Sequence, residues 1–299
     1  MGHDAHAHHS DARSLRVALA LILTFMLGEV VVAVGAHSLA LLADAGHMLT
    51  DALALGASLW AARLSTRPAE GKWTFGFVRA EILSAALNGV TLLVVASIIL
   101  VEAVTRLVHP VSVGGGAVIA VAAVGVVVNL FAAWTLSRGA RASLNVEGAF
   151  RHILTDLYAF LATIVAGVVI VATGYARADA IASLVVVILM VKASWALLHA
   201  SGRILLEVAP ENVNLDTVRE HLRGLAHVLD VHDLHVWTVT SGLPVLSAHV
   251  VIDETCFSDG LVPAILDRLQ SCLAGHFDVE HSTFQVEPPR HLDHETRTH

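Results

Sequence analysis

Six long runs of apolar residues dominate the first two-thirds of the chain. A helix needs about 20 apolar residues to cross a hydrocarbon layer about 30 Å thick, and each run is at least about that long. Short segments with turn-forming or helix-breaking residues separate the runs. The pattern predicts six transmembrane helices: Leu15 to Gly35, Ser38 to Leu64, Ala80 to Val108, Gly114 to Ser137, Val146 to Thr173 and Ala178 to His199.

The pattern changes abruptly after Glu207, where shorter segments and alternating apolar residues begin. Alternation with a period of two indicates half-buried strands, and periodic apolar residues indicate helices. The predicted order is αββαβ: Asn214 to Ala226, Val231 to Thr240, Leu246 to Asp253, Leu261 to Ala274 and Thr283 to Glu287. We expect a small α+β domain of ferredoxin-like or metallochaperone-like form, with helices on an antiparallel or mixed sheet.

Four regions follow from these patterns. We expect a histidine-rich disordered tail over residues 1–12, a six-helix membrane domain over 13–206, the α+β domain over 207–288 and a disordered tail over 289–299. The first residues lack the order of basic, apolar and small residues that marks a signal peptide, so nothing suggests that they are removed.

Composition supports a multi-pass membrane protein. Of 299 residues, 56% are hydrophobic and only 15% are charged, and the mean hydropathy of +0.70 is too high for an ordinary soluble domain. The formal net charge is -8, but the acidic residues concentrate after Glu207 while the lysines and arginines cluster elsewhere, so no nucleic acid partner is expected. Cys256 and Cys272 are too far apart for a CxxC motif, and we interpret both as reduced cytosolic thiols.

The distribution of basic residues predicts the orientation. Arginines and lysines cluster before the first span, in the loops after the second and fourth spans, and after the sixth, whereas the opposite loops hold little beyond Arg106 and Arg177. The positive-inside rule therefore places both termini in the cytoplasm. The short loops and the spans rich in Ala, Val and Leu suggest a bacterial plasma (inner) membrane.

Two pairs of the form HxxxD lie inside predicted spans: His47 with Asp51, and His152 with Asp156. Residues four apart share a helix face, so each helix offers one imidazole and one carboxylate to a neighbour. Polar residues in membrane helices can also simply pair with each other. Each ionised Asp at bilayer depth, however, costs about 2.5–3.5 kcal/mol on insertion scales, which favours a function. Two nitrogens and two oxygens suit tetrahedral Zn²⁺.

The motifs around these pairs resemble those of the cation diffusion facilitator family. The stretch from Ser38 to Asp51 resembles the second-span signature of that family, and Asn145 to Asp156 resembles its fifth-span counterpart. Phe75 to Leu83 and Leu87 to Gly89 are similar to the entry of its third span. The resemblance covers essentially the whole chain.

The resemblance implies efflux of divalent metal from the cytoplasm by metal/proton antiport, in a homodimer held partly by the C-terminal domains. The histidine at position 47 resembles the zinc-preferring bacterial branch. Co²⁺ and Cd²⁺ stay open as substrates because the order of metal affinities does not exclude them. Zinc is here a substrate and a regulatory ligand, and no cofactor is expected.

Histidines also recur among the predicted strands of the C-terminal domain. Three segments resemble the regulatory metal sites of the family: Val231 to Trp237, Leu246 to Val250 and His281 to Glu287. From this likeness we expect a cytoplasmic site of His232, His249, His281 and Glu287, and we leave His235 out. A lone histidine on a strand is usually solvated or packed, so the expectation depends on these residues occurring together.

Other functions fit less well. The sequence has no GxxxxGK[ST] phosphate loop and no HExxH pair, which removes support for ATP-driven transport and for zinc proteolysis. A zinc enzyme keeps an open coordination position, so four protein ligands do not suggest an enzyme. The alternative is a membrane-anchored metal sensor without transport, although a sensor needs no ligands at bilayer depth.

Several polar residues keep two interpretations. Glu29 either lines the route to the metal or is protonated or hydrogen-bonded within the helix bundle, and Asp44 either lines that route or lies near a helix end facing water. We expect structural roles for four others: Asn88, Glu102, Asn129 and Asp179. Histidine-rich ends commonly bind transition metals weakly, and a solvated terminus without a role is an equal alternative for the residues concerned: His3, His6, His8, His9, His291, His294 and His299.

Overall fold

The computed structural model describes residues 23–65, 67–138, 144–240, 242–279 and 281–294. Within these residues six long helices precede the C-terminal domain, as the apolar pattern predicts. They are α1 (Leu23–Ala36), α2 (Leu39–Ser65), α3 (Ala80–Val108), α4 (Gly115–Arg138), α5 (Leu144–Thr173) and α6 (Arg177–Leu205). The predicted N-terminal tail and the start of the first span lie outside the described residues.

Among the described residues, three helical segments are long and apolar enough to cross a membrane by length and composition: α3, the Asp156–Thr173 part of α5, and α6. The described part of α1 and the Gly115–Leu130 part of α4 are apolar but shorter. Large apolar side chains on these helices are exposed, among them Ile98, Val101 and Val171. Such surfaces suit contact with lipid and would be a liability in water.

The chain divides into two compact units: Met1–Trp60 with Ser84–Leu198, and Ala61–Leu83 with His199–His299. The core of the first unit contains many small residues, which let helices approach closely, as is typical of membrane bundles. Leu39 and Ala43 of α2, Ala96 and Ala103 of α3, and Met190 of α6 belong to one buried cluster.

Helices α4 and α5 pack closely against each other at glycines. A Cβ atom on Gly125 would lie 2.4 Å from the ring of Phe160, and one on Gly167 would lie 2.7 Å from Ile119 Cγ1 and 3.1 Å from the carbonyl oxygen of Gly115. The Phe160 ring also makes an edge contact with Phe25 of α1, at a centroid distance of 6.3 Å. The ring therefore has little room to move away from α4.

We expect Gly125→Ala to destabilise the helical unit by about 1–3 kcal/mol, because overpacking forces shifts of side chains and backbone. The matched control is Gly116→Ala on the same helix, where an added Cβ meets nothing within 4 Å. Alanine has the higher helix propensity, so the control should be neutral or stabilising. Thermal unfolding of both variants in detergent checks this, and equal melting temperatures would contradict the close packing.

The C-terminal domain contains α7 (Leu215–Arg223), β1 (Val228–Thr238), β2 (Pro244–Ile252), α8 (Thr255–Ser258), α9 (Val262–Phe277) and β3 (His281–Glu287). The predicted αββαβ order is present, and the short α8 is an addition that the sequence pattern does not predict. The Asn214 side chain accepts hydrogen bonds from the backbone N–H groups of Asp216 and Thr217 and so caps α7.

The three strands form a mixed sheet in the order β1-β2-β3. β1 and β2 are antiparallel and place His232 opposite His249, whereas β2 and β3 are parallel and place Val251 beside Glu287. A bulge interrupts β1 between His232 and His235. These registers bring polar side chains of all three strands toward one region of the sheet.

One apolar core supports this domain, with Leu222 from α7, Leu246 and Ile252 from β2, and Ile265 and Leu269 from α9 among its fully buried side chains.

The start of β1 is tied to the end of α7. Partial burial opposes ionisation of Asp230, but hydrogen bonds from Arg223 and from the Val231 N–H outweigh it and lower the pKa of Asp230. The Arg223 Nε donates to Asp230 Oδ1 at 2.8 Å.

The region after β3 differs from the expected disorder. Residues Pro289–His294 form a 3₁₀ helix, and residues 295–299 lie outside the described residues. Pro288 precedes this 3₁₀ helix and Pro289 is its first residue, and both prolines limit backbone freedom there.

Candidate metal centres

A carboxylate from another helix caps the N-terminus of α2. The carboxylate of Asp179, on the first turn of α6, accepts hydrogen bonds from Ser38 Oγ at 2.5 Å, from the Leu39 N–H at 2.6 Å and from the Ala40 N–H at 3.4 Å. The first N–H groups of a helix have no partner within it, and a negative charge there is favoured by the helix dipole. Asp179 therefore fixes the start of α2 against α6.

Three of the four predicted transport ligands meet in the helical unit. His47 and Asp51 lie one turn apart on α2, and Asp156 reaches the same point from α5. His47 Nε2 is 3.7 Å from Asp51 Oδ2 and 3.4 Å from Asp156 Oδ1. His152 lies one turn earlier on α5, and its side chain is outside the described residues.

These separations suit a tetrahedral cation. Zinc–ligand distances of about 2.0–2.2 Å place neighbouring nitrogen and oxygen ligands about 3.3–3.6 Å apart. The two distances at His47 are close to that range. His47 is only 8% exposed, so a cation bound here would exchange its water shell for protein ligands.

Two further acids lie near this cluster. Glu29 of α1 and Asp44 of α2 are 1% and 3% exposed, and they interact with each other. Asp44 also interacts electrostatically with His47 and Asp156. The structure thus places Asp44 beside the ligands, and its burial is contrary to the alternative in which it faces water at a helix end.

A second cluster forms on the sheet of the C-terminal domain. Glu287, 2% exposed, lies between two histidines: its Oε2 is 3.4 Å from His232 Nε2 and its Oε1 is 2.7 Å from His249 Nδ1. The two imidazole rings are 5.1 Å apart. The three residues offer ligand atoms within 4.8 Å of one another, and Gln285 Nε2 donates to Glu287 Oε1 at 2.8 Å.

Asp233 is an additional acid at the rim of this cluster that the sequence analysis did not identify. Its Oδ2 lies 3.8 Å from His249 Nε2, and its Oδ1 lies 3.2 Å from His235 Nε2. In a regular strand, neighbouring residues point to opposite faces. The bulge in β1 and the positive φ of 48° at Asp233 change this direction, so His232 and Asp233 both reach the cluster.

The structure does not bring His281 to the other three predicted residues. His281 opens β3 beside Val245, whereas Glu287 closes the same strand. Six residues of strand span about 20 Å, so one ion cannot contact both side chains within one chain. The ring of His281 instead makes an edge contact with Phe75, at a centroid distance of 6.4 Å.

Comparison with known proteins agrees with this division of the chain. The family model for the cation efflux transmembrane domain matches residues 15–206, and the model for the cytoplasmic domain of cation efflux proteins matches residues 210–289. These two matches together cover nearly all of the sequence.

Three relatives are similar over nearly the whole chain. The metal cation efflux system protein CzcD of Cupriavidus metallidurans is 39% identical over 286 residues, 96% of this chain and 90% of the relative. The zinc transporter ZitB of Escherichia coli is 38% identical, with 95% and 92% covered. The cadmium, cobalt and zinc/H(+)-K(+) antiporter of Bacillus subtilis is 33% identical, with 97% and 93% covered.

The matched domains confirm the predicted architecture: a multi-pass helical membrane protein with a small α+β domain in the cytoplasm. They also agree with the absence of an enzymatic motif, since members of this family move metal ions and do not catalyse a reaction. The chain belongs to the cation diffusion facilitator family and is a divalent metal cation efflux transporter.

Proposed function

We propose that this protein exports zinc from the cytoplasm in exchange for protons, through a site of His47, Asp51 and Asp156 with His152 as the fourth ligand. One observation carries the proposal: nitrogen and oxygen ligands from two helices lie 3.4 and 3.7 Å apart inside the helical unit. Zinc accepts this number and type of ligands. The names of two relatives, a zinc transporter and an antiporter for cadmium, cobalt and zinc, support zinc first and cobalt or cadmium as further substrates.

Exchange for protons follows from the chemistry of such ligands. A metal ion binds neutral imidazole and ionised carboxylate, so that protons and metal compete for the same groups. Protons that enter from outside then favour release of the metal on that side. The antiporter name of the Bacillus subtilis relative is consistent with this exchange.

The proposal includes a location and an assembly. The transporter is a multi-pass protein of the plasma or inner membrane with both termini in the cytoplasm, as the distribution of arginine and lysine favours. It acts as a homodimer, which the match of residues 210–289 to the ZT_dimer cytoplasmic domain supports.

Flux measurements in proteoliposomes test the proposal. Vesicles that contain the purified chain and a zinc-sensitive dye should take up zinc faster when their lumen is made acidic, and protein-free vesicles should not. An equal rate of zinc uptake with and without the pH gradient would exclude proton exchange. No uptake of zinc, cobalt or cadmium under any gradient would remove transport and favour the metal-sensor alternative.

We further propose that zinc at the cytoplasmic cluster of His232, His249 and Glu287 stabilises the dimer and adjusts transport to cytosolic zinc. Burying a carboxylate costs free energy unless its charge is paired or coordinates a metal. A cation bound between Glu287 and the two imidazoles would supply the opposite charge. Coupling between such sites is typically about 1–3 kcal/mol. His281, which the family resemblance also suggests, would need a different partner because β3 separates it from Glu287.

We expect Glu287→Gln to weaken zinc binding at this cluster by about 100-fold or more, since loss of even an indirect partner of a metal ligand costs about 10–100-fold. Calorimetric titration of the full chain measures this, in an Asp156→Asn background that removes the transport site. Glu220→Gln on the exposed face of α7 is the control. Equal affinities for the two variants would exclude Glu287 as a ligand.

A further inference from the structure

A separate group of metal-binding side chains lies at the open end of the β1–β2 hairpin. His227 directly precedes β1 and Asp253 directly follows β2, and the Asp253 N–H donates to the His227 carbonyl at 3.1 Å. This bond extends the ladder beyond the paired residues Val228 and Ile252. The two side chains therefore leave the sheet at the same level.

The thiol of Cys256 completes the group. The Cys256 N–H donates to the Asp253 carbonyl at 3.0 Å, and this turn starts α8 and directs the thiol back toward the hairpin. His227 Nδ1 is 3.2 Å from Asp253 Oδ2. Ligand atoms of all three residues lie within 4.8 Å of one another.

The three side chains differ in exposure. Cys256 is fully buried, whereas the side chains of His227 and Asp253 are 43% and 42% exposed. The sulfur is thus held by the core, and the imidazole and carboxylate above it are open to solvent. A cation can reach the group from that side, and the two exposed side chains can move by the short distance that coordination requires.

A simpler interpretation is an exposed His–Asp pair that happens to lie above a core cysteine. His227 has a φ of 74°, in the left-handed region that most non-glycine residues seldom adopt and that histidine adopts more often than most. This backbone conformation places the imidazole beside Asp253, and the buried Cys256 thiol adds a third type of ligand atom to the same group.

We propose that His227, Asp253 and Cys256 form a second cytoplasmic metal site, selective for thiophilic divalent cations such as zinc or cadmium. One nitrogen, one oxygen and one thiolate sulfur bind the ion, and a water molecule from the solvent side fills the fourth position. Binding displaces the thiol proton to solvent. The site lies about 16 Å from His232 along β1, so it is distinct from the cluster with Glu287.

The thiolate gives this site its own spectroscopic signal. Among the residues already assigned to metal, in the membrane or in the cytoplasm, no sulfur ligand occurs, so a sulfur-to-cadmium charge-transfer band reports only on a cysteine. Cadmium chloride is titrated into the reduced, chelator-treated full chain in detergent. We expect the intensity of the band to saturate at a value that corresponds to one cadmium-bound thiolate per chain. The band should persist in excess Mg²⁺, which prefers oxygen ligands.

Variants identify the ligands. Cys256→Ser should abolish the band, whereas Cys272→Ser, on α9, should leave it unchanged. His227→Asn keeps a residue that tolerates positive φ and should weaken cadmium binding at least about tenfold, as should Asp253→Asn. Because both changes are at exposed positions, they test the site even if Cys256→Ser does not fold.

Three results would overturn the proposal: no band in the unmodified chain, a band that survives Cys256→Ser, or cadmium affinity that is unchanged in His227→Asn and Asp253→Asn. Since the signal is independent of zinc flux, failure here leaves the proposed transport function untouched, and failure of transport leaves this site untouched.

Discussion

Asp156→Asn is expected to reduce zinc transport to the level of protein-free vesicles. The substitution keeps the size of the side chain but removes the charge from the only ligand of α5 whose side chain the structure describes, 3.4 Å from His47. Changes to indirect partners of a metal ligand already cost about 10–100-fold in affinity or activity. Loss of a direct, charged ligand should cost more, so uptake at micromolar zinc should vanish.

Glu102→Gln is the matched control for this experiment. Glu102 is a carboxylate in a membrane helix, as Asp156 is, but it lies on α3 and pairs with Arg106 at 2.9 Å. We expect nearly normal flux in this variant, since a half-exposed ion pair contributes little. Zinc uptake that survives Asp156→Asn, with normal folding of both variants, would contradict the proposed transport site.

The positions of the helices could be predicted closely from the sequence. The prediction of Ala80 to Val108 matches α3 at both ends, and Ser38 to Leu64 differs from α2 by one residue at each end. The reason is physical: the hydrocarbon thickness sets a minimum length, and residues such as Pro110 and Gly174 mark where helices stop.

The sequence predicts less well which ligands meet across different helices. Spacing of four residues predicts that His47 and Asp51 share one face of α2, and their side chains do approach to 3.7 Å. That this face meets Asp156 depends on how α2 packs against α5. The periodicity of a single helix does not contain that information.

The C-terminal cluster shows two different limits of prediction from the sequence. Asp233 joins it only because a bulge redirects β1, and bulges leave no reliable trace in an alternating pattern. For His281, in contrast, the signal was present: it lies six residues before Glu287 and just before the predicted strand Thr283 to Glu287, and extended chain of that length spans about 20 Å. Strand geometry alone could have separated the two.

For Asp179, the sequence predicts the structural role but not the helix with which the side chain interacts. Its place at the start of a span predicts a structural role as a helix-start residue. The structure shows that it caps α2, a helix about 140 positions away in sequence, through Ser38, Leu39 and Ala40. The carboxylate therefore links the first turns of α2 and α6.

This link makes Asp179→Ala the second large effect that we expect. The substitution leaves three buried donors without their acceptor, and each such donor costs about 1–3 kcal/mol, although not additively. We expect the melting temperature of the detergent-solubilised protein to fall by roughly 5–15 °C. The melting temperature of Asp179→Asn, which keeps one acceptor oxygen, should lie between those of Asp179→Ala and the unmodified protein.

The control is Asp216→Ala, which also removes a carboxylate from the first turn of a helix. The side chain of Asp216 is 87% exposed and its partner is Arg219, so its loss should change stability by less than about 0.5 kcal/mol. Because His47 lies about 12 Å along α2 from Leu39, folded Asp179→Ala protein should also transport zinc more slowly. A melting temperature equal to that of the control would show that α2 does not depend on this cap, and the position of His47 would then need another explanation.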